Sequence, residues 1–237
     1  MNEQRKNVLV TGASSGIGLA ICQLLLEQNY EVYGIGRQFL STPDSEHFHT
    51  IVLDLTNTKT VTDTILALKK EVVFSILINN AGVGYYGPHE ELSPISISEM
   101  VQVNLTIPIL LTNLLLRDLK QQKGHIIAIS SATATKTNNT HGCAYGATKA
   151  GLSNFHKSLF EEVRKYGVRV TVLQPDMAKT NLYRHASFQE GSEPDTYLTP
   201  EEIAKAVLFA LQARDGMNVS EITLLPQRNQ IQRKKSK

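Results

Sequence analysis

Short apolar runs alternate with stretches of helical apolar spacing from residue 7 to about residue 225, and no other feature constrains the fold so tightly. Asn7–Val10, Glu31–Gly36, Ile51–Leu53, Phe74–Ile78, His125–Ser130, Val168–Leu173 and Glu221–Leu225 read as strands. Between them, Ile17–Glu27, Val61–Lys70, Ser98–Lys120, Ala144–Lys165 and Pro200–Ala213 carry helical spacing, with a bend expected near Pro108. Phe74–Ile78 is almost unbroken in its apolar character, as befits a strand covered on both faces. The alternation predicts an α/β fold, a doubly wound parallel sheet with helices on both faces and right-handed crossovers. No repeat or linker divides it, so residues 1–227 are expected to form a single domain, with 228–237 as a basic, disordered tail.

The chain has 237 residues with 24 Lys+Arg against 22 Asp+Glu. Arg228, Arg233, Lys234, Lys235 and Lys237 fall in the tail, which has no acid, so the body is mildly acidic and does not suggest nucleic-acid binding. Cys22 and Cys143 are far apart and offer neither a disulfide framework nor a zinc spacing. The N-terminus lacks a signal-peptide layout, and the apolar stretches are broken by Pro, Thr and Asn. A soluble, cytoplasmic protein without a membrane segment is expected.

Thr11–Gly18 follows the first strand and opens a helix, in the form Thr-Gly-x-x-x-Gly-x-Gly. Glycine there permits a sharp turn and close backbone approach to a pyrophosphate, and the helix start supplies unpaired N–H groups. No Lys follows Gly18, which excludes the phosphate loop of nucleoside triphosphatases. A plain strand-to-helix turn is the competing reading. The second strand ends in Gly36-Arg37 without an acid to accept from a ribose 2′-hydroxyl, so NADP(H) is expected over NAD(H).

Tyr145 and Lys149 are four apart at the start of a helix and share one of its faces. A phenol with its usual pKa near 10 is a poor acid–base at neutral pH, and a neighbouring ammonium favours its ionised form. Ser131 ends a buried-type strand where such a sheet opens its crevice, Asn79–Gly82 ends another, and Asn104 is a polar side chain in an apolar helix. Each also has a structural reading, as strand cap, turn or buried amide.

Together, Thr11–Gly18, Asp54-Leu55, Asn79–Gly82, Asn104, Ser131, Tyr145-x-x-x-Lys149 and Pro175…Thr180 resemble the compact branch of the short-chain dehydrogenase/reductase family over residues 7 to about 225. The resemblance implies one Rossmann-type NAD(P)-binding domain and hydride transfer between NADP(H) and a small carbonyl or secondary alcohol. It assigns Tyr145 as general acid or base, Lys149 to the tyrosine pKa and the nicotinamide ribose, Ser131 to the substrate oxygen, and Asn104 to a water-mediated proton relay. Gly12, Ser14, Ser15, Gly16, Ile17 and Gly18 would cradle the pyrophosphate. Asp54 and Leu55 would hold the adenine end and Asn80, Ala81 and Gly82 the adenosine side, with Pro175, Ala178 and Thr180 at the nicotinamide. No metal is implied. Relatives pair as homodimers or homotetramers through the helices bearing Tyr145 and Asn104.

Three departures stand out. Asp176 replaces the family's glycine after Pro175, Ser15 stands where many NADP-preferring members carry a basic residue, and Ser131 to Tyr145 is one position longer than the common spacing. Cys143 reads as a small buried or half-buried thiol rather than a nucleophile, His47-x-His49 as a solvated pair in a polar loop, and Tyr85 and Tyr86 as pocket wall or loop aromatics. Residues 181–199 show no regular pattern and fall where the family carries a substrate lid. Two other functions compete: a non-catalytic regulator that senses NADP(H), opposed by the intact Ser131, Tyr145 and Lys149, and the family's longer branch acting on nucleotide sugars, opposed by length and glycine spacing.

Overall fold

From β1 (Asn7–Thr11) the chain turns into α1 (Gly16–Glu27) and returns through β2 (Glu31–Gly36) and β3 (Phe48–Val52) to α2 (Thr58–Leu68) and β4 (Ile76–Asn79). There follow α3 (Pro94–Val101), α4 (Ile107–Gln121), β5 (His125–Ile129), α5 (Cys143–Val163), β6 (Arg169–Pro175) and β7 (Phe188–Glu190). Helix α6 (Pro200–Leu211), β8 (Glu221–Leu224) and β9 (Ile231–Arg233) complete the fold. This is a computed structural model, and it describes residues 5–136 and 138–234.

Seven strands pair in parallel in the order β3-β2-β1-β4-β5-β6-β8, the doubly wound sheet expected from the alternation. Alternate residues of β1 serve opposite faces. Val8 and Val10 pack with Ile21 and Leu25 of α1 and Ile203 and Val207 of α6. Leu9 instead joins Ile65 of α2, Leu111 and Leu115 of α4 and Leu159 of α5. The central strands β4 and β5 are buried at every residue, which is why they read as unbroken apolar runs. The chain order reverses between β2, β1 and β4, so a crevice opens at the carboxyl ends of β1 and β4.

The helix expected over Ser98–Lys120 is a longer run, Pro94–Gln121, interrupted by a π turn at Gln102–Thr106. Its irregularity falls before Pro108 because proline sits in the first turn of α4, where no N–H is needed. These 28 residues are long and apolar enough to cross a membrane by length and composition. Ile107, Leu111, Leu115 and Leu119 are buried in the core under the sheet.

Two expectations are corrected. The tail is built into the fold as far as Lys234: β9 pairs antiparallel with β7, and the Arg228 guanidinium bonds both oxygens of Asp195. The short β7 offers an open edge and Asp195 a countercharge, neither visible from the tail's own basic composition. Lys235 and Lys237 lie outside the described residues. His47 and His49 are not a solvated loop pair, since both rings bond the Glu31 carboxylate and His49 stacks on Tyr33 with centroids 4.5 Å apart.

Candidate active site

The glycine turn is a cradle built on backbone geometry. Gly12 lies at φ +68° and Gly16 at φ +53°, in the left-handed region that glycine enters without strain. A Cβ on Gly18 would lie 2.1 Å from the Gly12 carbonyl oxygen, so α1 can close on the turn only with glycine there. From beneath, Thr11 Oγ1 accepts from the Asn80 and Ala81 N–H groups at 3.0 Å, and Asn80 Nδ2 donates to the Thr11 carbonyl at 2.9 Å. The end of β4 thus braces the end of β1. Ser15 caps α1 without any side-chain bond, and the first turn holds no acid. Its amides are left for an anion, and the cradle fits a dinucleotide pyrophosphate.

At the end of the cleft that Arg37 lines, Asp54 Oδ1 accepts from the Thr56 N–H and hydroxyl, both at 2.9 Å. The backbone bond, above all, holds its carboxyl below the usual range. Arg37 is exposed and lies 3.9 Å from the Glu99 carboxylate, which also accepts from the Tyr85 hydroxyl at 2.6 Å. Glu99 comes from α3, and nothing in the sequence near Arg37 announced it.

At the other end, Tyr145 sits in the first turn of α5, 3% exposed, its hydroxyl facing those of Ser131 and Tyr86. Burial pushes its pKa up to about 12, and hydrogen bonds from Ser131 and Tyr86 oppose that rise. Ser131 Oγ accepts from the Thr133 N–H at 3.2 Å and the Thr133 hydroxyl at 2.9 Å, which leaves its own proton free for the cleft. Lys149 Nζ donates to the Ile129 carbonyl at 2.8 Å and lies 5.9 Å from the centre of the Tyr145 ring. Burial lowers its pKa to about 8.

Asn104 lies inside the π turn, a distortion that recurs at functional sites. Its Oδ1 accepts from the Val83 N–H at 2.8 Å, and its Nδ2 donates to the Val83 carbonyl and to Thr148 Oγ1. The side chain clamps the loop after β4 to α5. Every other predicted site residue except Gly18 lines one continuous cleft, while Gly18 and Asn104 stand behind its wall.

Four features escaped the sequence reading. Glu99 stands next to Arg37 only in space, and Thr133 bonds Ser131 from two residues along the chain. Lys136 Nζ pairs with Asp176 Oδ2 at 3.1 Å across 40 positions. Tyr183 of the irregular 181–199 segment lines the cleft and packs its ring, tilted by 40°, against Tyr86. Cys143, expected buried or half-buried, is exposed, with Sγ 3.6 Å from His89 Nδ1, a neighbour that spacing could not supply.

A dinucleotide cradle at the switch point of a doubly wound sheet, continuous with a buried Ser–Tyr–Lys group, defines a nicotinamide-dependent oxidoreductase. The chain belongs to the short-chain dehydrogenase/reductase family: the family described as short chain dehydrogenase matches residues 6–191. It is 30% identical to an uncharacterized oxidoreductase of Staphylococcus saprophyticus over 94% of this chain and 98% of that one. It is likewise 30% identical to serine 3-dehydrogenase of Agrobacterium fabrum, over 92% and 93%. Among solved structures it superposes with TM-score 0.82 on an alcohol dehydrogenase of Thermococcus sibiricus complexed with 5-hydroxy-NADP, at 26% identity over 94% and 97% of the two chains. A short chain dehydrogenase of Leptospira borgpetersenii with bound NAD+ matches with TM-score 0.81 at 25% identity, over 95% and 93%.

Proposed function

We propose that the protein transfers hydride between NADP(H) and a small carbonyl compound or secondary alcohol, with Tyr145 as the general acid or base. The observation that carries this reading is the Tyr145 hydroxyl, buried beside Ser131 and opening into the same cleft as the glycine cradle. A bound nicotinamide cofactor supplies or accepts the hydride. Ser131, its lone pairs already engaged by Thr133, donates to the substrate oxygen and orients it. In reduction Tyr145 gives its proton to that oxygen, and in oxidation its phenolate takes the proton back.

Lys149 carries positive charge toward the phenol, and its anchor on Ile129 fixes where that charge sits. Asn104 keeps the loop after β4 in place behind Lys149 and takes part in the proton path. Gly12, Ser14, Ser15, Gly16, Ile17 and Gly18 hold the pyrophosphate, Asp54 and Leu55 the adenine, and Asn80, Ala81 and Gly82 the adenosine side. Pro175, Ala178 and Thr180 flank the nicotinamide. Arg37 is the cation available to a ribose 2′-phosphate, and that phosphate competes with Glu99 for it. Assembly as a homodimer or homotetramer through the helices bearing Tyr145 and Asn104 belongs to the same reading, and sedimentation tests it.

Parallel titration with NADPH and NADH tests the cofactor assignment. Tighter NADPH binding supports it, tighter NADH binding reverses the preference, and binding of neither removes the oxidoreductase reading.

A further inference from the structure

Asp176 follows Pro175, where the family carries glycine, and nothing in the hydride-transfer reading uses its carboxylate. Strand β6 ends at Pro175, and its register with β5 sets Ile129 opposite Leu173. Ser130 N–H donates to the Leu173 carbonyl at 2.7 Å and Ser131 is still extended, so the two chains run on side by side beyond Ile129. Ser131 therefore comes level with Pro175, and Asp176 stands one residue further on the neighbouring chain, whose axis is about 4.8 Å away. The backbone there is held from the other side: Asp176 N–H donates to the Leu224 carbonyl at 2.9 Å, and Leu198 N–H to the Met177 carbonyl at 2.8 Å. Asp176 lines the cleft with Ser131 and Tyr145, and its Oδ2 meets Lys136 Nζ at 3.1 Å. Lys136 belongs to the loop that leaves Ser131, so the carboxylate is turned toward the Ser131 side.

We propose that Asp176 is a specificity residue that selects substrates bearing a cationic amino group a bond or two from the reacting carbon. The proposal rests on the reading of Ser131 and Tyr145 as the reaction centre and deepens it by naming the substrate class.

The charges around the cleft set the sign. Lys149 brings positive charge to the Tyr145 end, and an oxidised nicotinamide ring adds more, so a cationic substrate is disfavoured there unless a carboxylate offsets them. Three carboxylates line the cleft among the described residues. Asp54 is bonded by Thr56, and Glu99 by Tyr85 beside Arg37, which leaves Asp176 as the one next to Ser131. Its partner is replaceable. The Lys136 side chain is 41% exposed on a long flexible stem, and a half-exposed ion pair of that kind contributes little. A substrate whose oxygen is already held by Ser131 presents its ammonium to the carboxylate at a lower cost in freedom. Lys136 then turns to solvent as the substrate takes its place.

The test uses three small secondary alcohols that differ in charge: 1-aminopropan-2-ol, butan-2-ol and 3-hydroxybutyrate. With NADP+ near neutral pH, where the amine is protonated, kcat/KM for 1-aminopropan-2-ol is expected to exceed that for butan-2-ol at least about tenfold. Asp176→Asn is expected to bring that ratio close to one. Lys136→Met removes the competing cation and is expected to raise the ratio at least about twofold; a ratio that fails to rise overturns the displacement of Lys136. A ratio unmoved by Asp176→Asn, or lowered equally by both variants, shows a bridge that only braces the loop and overturns the proposal. A native preference for butan-2-ol or 3-hydroxybutyrate overturns it too. Calorimetric binding of the same alcohols to protein loaded with NADPH, which cannot oxidise them, repeats the comparison without turnover. A cation preference there that is lost in Asp176→Asn upholds Asp176 even if none of the alcohols is oxidised, in which case the hydride-transfer reading fails instead. No such preference in either measurement overturns the proposal.

Discussion

Lys149 Nζ donates to the Ile129 carbonyl at 2.8 Å, which ties the one buried cation on α5 to the last residue of β5. Ser131 lies two residues further along that chain. The strand end therefore sets the distance between the ammonium and the serine hydroxyl, while the turn of α5 sets the distance from Lys149 to Tyr145. Lys149→Met keeps the aliphatic volume and removes the charge. The expected result is a large fall in kcat with little change in thermal stability, measured by initial rates and by thermal unfolding. Retained kcat would show that the cation is not needed.

Tyr145→Phe deletes one oxygen from the cleft. General acid–base groups contribute ~10²- to 10⁴-fold, so kcat should fall by that order while the NADPH dissociation constant, read by fluorescence, stays within about twofold. A kcat close to that of the native protein removes Tyr145 from the chemistry.

The pH dependence follows from the raised Tyr145 pKa. Reduction uses the phenol, which is present at neutral pH and lost as pH rises through its pKa. Oxidation uses the phenolate, so its rate climbs over the same range. Rate profiles of the two directions should therefore slope oppositely on the alkaline side, and parallel profiles contradict the assignment.

Arg37 and Glu99 form a pair, and under the proposed NADP(H) reading a 2′-phosphate enters it. Arg37→Ala should weaken NADPH binding by about tenfold and leave NADH nearly unchanged, since one charge-assisted contact is worth ~1.5–3 kcal/mol. Glu99→Gln should shift preference the other way, toward NADPH. Calorimetric titration of both cofactors against both variants checks the pair.

His125 is fully enclosed, its Nε2 bonded to Thr171 Oγ1 at 2.8 Å and its Nδ1 without a partner. Burial, chiefly, lowers its pKa to about 3, so the folded protein holds it neutral. The unfolded chain takes up a proton below pH ~6.5, and stability should drain away from there downward as pH falls toward the folded value. Thr171 Oγ1 also donates to the Val219 carbonyl, so His125→Leu leaves no new orphan there. Thermal unfolding of that variant should lose less between pH 7 and pH 5 than the native protein. An equal loss would place the acid sensitivity elsewhere.

Local chemistry determined much of this protein. The short apolar runs and the helical spacings between them specified the parallel sheet, because a strand or helix must bury whatever apolar face its own sequence gives it. The glycine turn was legible because Gly12 and Gly18 answer to steric limits within eight residues of chain. Tyr145 and Lys149 were legible because one helical turn sets their spacing. What only the tertiary structure decided lies between distant segments. The Arg37–Glu99 pair, the Lys136–Asp176 bridge and the packing of Tyr86 on Tyr183 and Phe188 each need a particular crossing of loops. The C-terminal basic residues read as solvated because charge alone says nothing of an available partner. Asp195 and the open edge of β7 supplied one, and the tail became a strand paired with β7.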